Sequence, residues 1–160
     1  MLKTLRAATF EVLETMFFLF PEDPEGITPD FGGLGLRAWV PVAGPQPFRV
    51  GITVPLGLAR EMGGNFLGIT PEELGREHLE DVVREAANMI VGAFLMRSRA
   101  SGAFLLRPPT LEMVDLNRPP GAAPPHRIFL CVGDFGLEVM MELAPPAAPR
   151  PRPEREAVVR

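Results

Sequence analysis

The sequence predicts an α+β fold, with helices on one face of a mainly antiparallel sheet. Three observations lead there. Apolar residues recur at helical spacing through roughly the first twenty positions. Two segments, LRAWVPVAGPQPFRVGITVP and RIFLCVGDFGLEVMMEL, each read as two strands around a turn. Between them lies a long amphipathic stretch opened by Thr70, Pro71 and Glu73.

The elements follow in order. Leu2, Leu5, Thr9, Val12, Leu13, Met16, Phe17 and Phe20 mark one face of a first helix, which Pro21 stops. That face is expected to pack on a sheet, because its polar side has no Lys/Arg band for a membrane surface. PEDPEGITPDFGG is expected as loop. Phe48, Val50, Ile52 and Val54 alternate as in a half-buried strand, joined to LRAWVPVAG through the turn GPQP. PLGLAREMGG reads as a short helix opened by Pro55 and closed at Gly63 or Gly64. The next helix starts with an N-cap, a proline and a capping glutamate, and runs to about Arg97 with a break near Gly75. Gly133-Asp134-Phe135-Gly136 is the turn of the last hairpin. The expected domain spans 1–143, and 144–160, rich in Pro, Ala and Arg, is expected to be a disordered tail.

Bulk properties exclude several classes. The 160 residues suit one domain, and 46% hydrophobic content with mean hydropathy +0.13 suits a folded body. A net charge of −4 provides no basic field for nucleic acid or anionic membrane. One cysteine, Cys131, allows no intrachain disulfide and fits a reducing compartment. Glu11 and Glu14 interrupt any signal-peptide core, and no apolar run reaches transmembrane length, so a cytoplasmic location is expected. His126 is the only histidine besides His78, so a metal site at His78, Asp81 and Glu85 is not expected.

The helix between the hairpins carries the informative pattern. On a wheel of about 100° per residue, Leu79, Val82, Val83, Ala86, Ile90 and Ala93 form the core face. Asp81, Glu85, Asn88 and Gly92 form a narrow second stripe on the far side. Asn is a poor residue in mid-helix, and Gly there costs about 1 kcal/mol relative to Ala. Both call for a reason. Either Gly92 admits a neighbour from the same chain and Asn88 bonds to it, or a partner docks on the stripe. Alone, E-x-x-N is short enough to arise by chance.

The segment EAANMIVG, Glu85 to Gly92, resembles the E-x-x-N-M-I-x-G segment of the chemotaxis phosphatases CheX, CheC and FliY. The longer family pattern has Asp or Ser four residues before the Glu, here Asp81, and a strand-opening proline about twenty residues after the Asn, here Pro108 or Pro109. TPEE and LAREMGG resemble the CheX-type domain as well, and the likeness runs over roughly residues 5 to 143. CheX is the nearer type. CheC-type chains resemble a duplication with two such helices, whereas Glu61-Met-Gly-Gly-Asn65 has the wrong spacing and lies at a helix end.

The resemblance implies a phosphatase acting on the phosphoaspartate of a response-regulator receiver domain of the CheY kind. It implies that Glu85 anchors the receiver's lysine and that Asn88 orients the attacking water. Asp81 and Gly92 would serve partner docking. No cofactor of the chain's own is implied; magnesium would sit on the partner receiver. A homodimer is implied too. The alternative on the same fold is a non-catalytic module for receiver binding or dimerisation.

Overall fold

The computed structural model describes residues 1–26, 29–99, 101–118 and 126–144. The elements in chain order are α1 (Leu2–Met16), β1 (Pro21–Glu22), β2 (Leu34–Ala43), β3 (Phe48–Pro55), α2 (Leu56–Leu67), α3 (Arg76–Ser98), β4 (Leu105–Leu106), β5 (Thr110–Asp115), β6 (His126–Val132) and β7 (Phe135–Leu143). A short 3-10 turn, Pro71–Glu73, precedes α3. The strands form one sheet in the order β1-β6-β7-β3-β2, and β4 and β5 both pair with the outer edge of β2. Every strand pair is antiparallel. The fold is therefore the expected α+β arrangement.

Strand alternation decides which face the helices cover. Leu36, Ala38, Val40 and Val42 of β2, Val50, Ile52 and Val54 of β3, and Leu137, Val139 and Met141 of β7 are buried in one core with the three helices. Full burial of each such side chain contributes about 1.5–3 kcal/mol. The opposite face carries longer polar chains. Arg37 donates to Thr53, Arg127 to Glu138 and Arg49 to Glu142 across strands. Trp39 lies against Gly51, with the Arg49 guanidinium stacked on its ring at 4.2 Å.

Both predicted hairpins form. Val42 pairs with Phe48 across Gly44–Pro47, and Val132 pairs with Phe135. The second turn is thus only Gly133-Asp134; Phe135 and Gly136 are already strand. PEDPEGITPDFGG is not all loop: Pro21–Glu22 pairs with β6, and Asp30 bridges to Phe135.

Two helix ends differ from expectation. α1 stops at Met16, because Phe17 is fully buried and stacks on Phe66, and Phe18 turns the backbone at φ +54°. The Leu19 N–H then returns to the Leu13 carbonyl, and the Asn65 amide donates to the Phe17 carbonyl. Met16 and Phe20, expected on the buried face, are consequently exposed. The buried face of α1 packs chiefly on α3, with a smaller contact to β6. α2 runs through Gly63 and Gly64 and ends at Gly68, whose φ of +65° supplies the left-handed cap. Gly63 is buried beneath Leu74 and Leu79 and serves packing. None of the described helices is long and apolar enough to cross a membrane. The expected tail beyond Ala144, and residues 119–125 of NRPPGAAPPH, lie outside the described residues.

Candidate functional site

α3 is held on several sides by its neighbours. It lies on β2 and β3 and is flanked by α1 and α2. Its start is doubly fixed. Glu73 accepts from the Thr70 N–H and hydroxyl, closing the capping box. That hydrogen bonding, the backbone donor first, holds the Glu73 carboxyl below its ordinary value. The helix then breaks at Gly75, as the sequence indicated, and His78 Nδ1 accepts the Gly75 N–H at 3.0 Å.

Leu79, Val82, Val83, Ala86, Ala87, Ile90, Val91 and Phe94 are the buried residues of α3. This arc is wider than the predicted stripe. Ala87, Val91 and Phe94 are added and Ala93 is only half-buried, because helices as well as the sheet cover α3. The remaining side is the stripe of Asp81, Glu85, Asn88 and Gly92. Asp81 and Glu85 are exposed; Asn88 and Gly92 are half-buried.

The side chains on the stripe differ in what they already hold. Asp81 pairs with Arg84 at 3.0 Å while its side chain stays 78% exposed, so the pair contributes at most about 1 kcal/mol and opens readily. Arg84 also reaches Glu80, which Arg76 holds from the other side. Among the described residues, neither the Glu85 carboxylate nor the Asn88 carboxamide has a side-chain hydrogen bond or ion pair. A Cβ at Gly92 would meet nothing within 4 Å among the described residues. Gly92 is therefore not making room for another part of the described chain.

The chemistry available is narrow. One carboxylate can pair with an external cation, and one neutral amide, a helical turn away, can donate and accept at the same time. No group of three or more His, Cys, Asp or Glu among the described residues is arranged to hold a metal ion. Cys131 is buried. Pro109 immediately precedes β5, the position the strand-opening proline was expected to take. Asn65, set aside on spacing, caps the end of α1.

Two residues were missed in the sequence. Arg84, the partner of Asp81, is absent from the sequence-based stripe, although the i,i+3 spacing of opposite charges is readable. Met96 extends the stripe and is 84% exposed. Only exposure, which periodicity does not give, sets it apart from the core methionines.

Comparison with known proteins bears on the fold and on the segment that includes α3. The family described as Chemotaxis phosphatase CheX matches residues 37–115, just under half of the chain and all of α3. No curated protein matches the sequence. Solved structures share the fold. CheX from Desulfovibrio desulfuricans aligns with a TM-score of 0.66 at 19% identity, covering 89% of this chain and 97% of that one. CheX from Vibrio vulnificus aligns at 0.63 and 22%, covering 88% and 95%. The CheX chain matched in a Borrelia burgdorferi complex of CheX, CheY, BeF3 and magnesium aligns at 0.63 and 15%, covering 89% and 97%. The chain is thus similar to the CheX family in sequence over residues 37–115 and shares the fold of solved CheX structures.

Proposed function

We propose that the chain is a phosphatase for the phosphoaspartate of a CheY-like receiver domain. One observation carries the reading. Glu85 and Asn88 stand together on one helix without side-chain partners among the described residues, beside a glycine with open space at its Cβ position among those residues. The match to the CheX family and the fold shared with a CheX held in complex with CheY support it.

An aspartyl phosphate is an activated mixed anhydride that hydrolyses unaided. Phosphoryl transfer asks a protein mainly for positioning and charge stabilisation. The receiver brings its own magnesium and lysine, and this chain adds no cofactor. Glu85 pairs with the receiver lysine and fixes the register of docking. Asn88 enters beside the phosphoryl group. Its carbonyl accepts from the attacking water and its N–H₂ donates to water or phosphoryl oxygen, which places the water in line. Glu85 is an anchor, not a base. The reaction belongs in the cytoplasm, where receivers are phosphorylated. The homodimer implied by the resemblance is part of the same proposal; the sheet ends at β1 on one side and at β4 and β5 on the other, so edge strands are available.

The test is phosphate loss from each of the host's receivers, phosphorylated with acetyl phosphate in magnesium, with and without the protein. Acceleration for at least one receiver is expected, and Glu85→Ala should chiefly weaken binding. Capture of a phosphorylated receiver with no change in its decay would replace this reading by a non-catalytic docking module.

A further inference from the structure

The stripe on α3 does not end at Gly92. One further step of four residues reaches Met96, on the same side of the helix. Met96 is 84% exposed, more than any other large apolar side chain among the described residues. Met89 and Leu95, its helical neighbours, pack against the core, but Met96 does not. Arg97 beside it is drawn away to Glu11 of α1 at 2.7 Å.

A single exposed methionine is ordinary on a protein surface. Its position is what gives this one meaning. It stands about 12 Å along the helix axis from Asn88. A typical interface buries about 800 Å² per partner, a patch roughly 30 Å across, so a footprint centred on Asn88 includes it. Between the two lies Gly92, with open space where a Cβ would stand. The stripe thus reads, from its N-terminal end, as charge, amide, notch and apolar knob. Methionine is enriched at interfaces relative to the rest of a protein surface, and the unbranched thioether adapts to the surface it meets.

The geometry points to Met96 as the apolar anchor of the docking surface, selecting receivers that carry an apolar patch about 12 Å from the phosphorylation site. This rests on the phosphatase reading and adds the determinant of partner choice. Charge at Glu85 fits any receiver with the lysine. Contact at Met96 separates one receiver from another.

The experiment uses Met96→Gln and Met96→Ala in the full chain. Gln is close to Met in size and helix propensity, so folding is unaffected. Two quantities are measured on the receiver that the wild-type protein turns over best. They are the receiver concentration for half-maximal dephosphorylation, and the Kd for the same receiver activated with beryllofluoride. Both are expected to rise about tenfold, as for an interface anchor, with the saturated rate little changed. A rise under about threefold in both variants overturns the inference. Asn88→Ala, run alongside, tests the underlying reading separately, because it should lose rate while keeping its Kd. An Asn88→Ala protein at full rate removes the reading, and the anchor role with it.

Discussion

Gly92→Ala tests whether the stripe is shaped for the chain itself or for something outside it. Glycine inside a helix costs about 1 kcal/mol relative to alanine. The structure leaves open space around a Cβ at this position, with no neighbour within 4 Å among the described residues, so the substitution brings no clash with them. The protein should therefore be stabilised by about 0.5–1 kcal/mol, a rise in Tm of roughly 1–4 °C for a domain of this size. Gly92→Leu should keep most of that gain, since leucine is also a good helix former. Docking should respond in the opposite sense. A leucine side chain in a closely fitted interface costs about 1–3 kcal/mol, so half-saturation by the receiver should rise about 5- to 150-fold. Thermal melts followed by circular dichroism and receiver dephosphorylation measure the two effects on the same preparations. Gly51 is the internal control. A Cβ there would meet the Trp39 ring at 2.7 Å, so Gly51→Ala should lower Tm. A fall in Tm for Gly92→Ala would show that the chain's own packing requires the glycine. Full turnover by Gly92→Leu at limiting receiver would show that no partner approaches there.

Three other outcomes follow from the structure. Glu138 is 3% exposed on the sheet face away from the helices, where it accepts from Arg127; Glu138→Ala leaves that guanidinium unpaired and should cost about 1–3 kcal/mol in urea unfolding, with turnover at 20 °C retained. The Glu73 carboxyl is held low by Thr70, so its contribution is complete above the ordinary glutamate value and is lost as pH falls through the lowered folded value. Glu73→Gln should remove that acid dependence from stability–pH curves and lower stability by a constant amount at neutral and alkaline pH. Replacing the Met96 thioether should raise the half-saturating receiver concentration, as set out above.

Much of the fold was legible because it rests on short-range rules. The β2–β3 pairing follows from Phe48, Val50, Ile52 and Val54 alternating after GPQP. The break before α3 follows from Thr70, Pro71, Glu73 and Gly75. What escaped depends on long-range contact. β1 is two residues beginning with proline, and only its partner β6 makes it a strand. The end of α1 is set by Phe17 meeting Phe66 and by the Asn65 amide, neither of which local sequence reveals. Ala87, Val91 and Phe94 are buried because other helices close on α3 from the side. For the stripe, spacing singled out Asp81, Glu85, Asn88 and Gly92. Only the three-dimensional packing distinguishes an aspartate already paired with Arg84 from a glutamate and an asparagine without side-chain partners among the described residues, or an exposed Met96 from a buried Met62.

The most direct test of the central claim is the decay of a phosphorylated receiver at saturating concentrations of wild-type protein and of Asn88→Ala. Loss of a group that positions the reacting water should slow the accelerated decay on the order of 100-fold or more, while the folded structure and receiver binding persist. Decay as fast with alanine as with asparagine would contradict the account, because the stripe on α3 would then be doing no chemistry through its carboxamide.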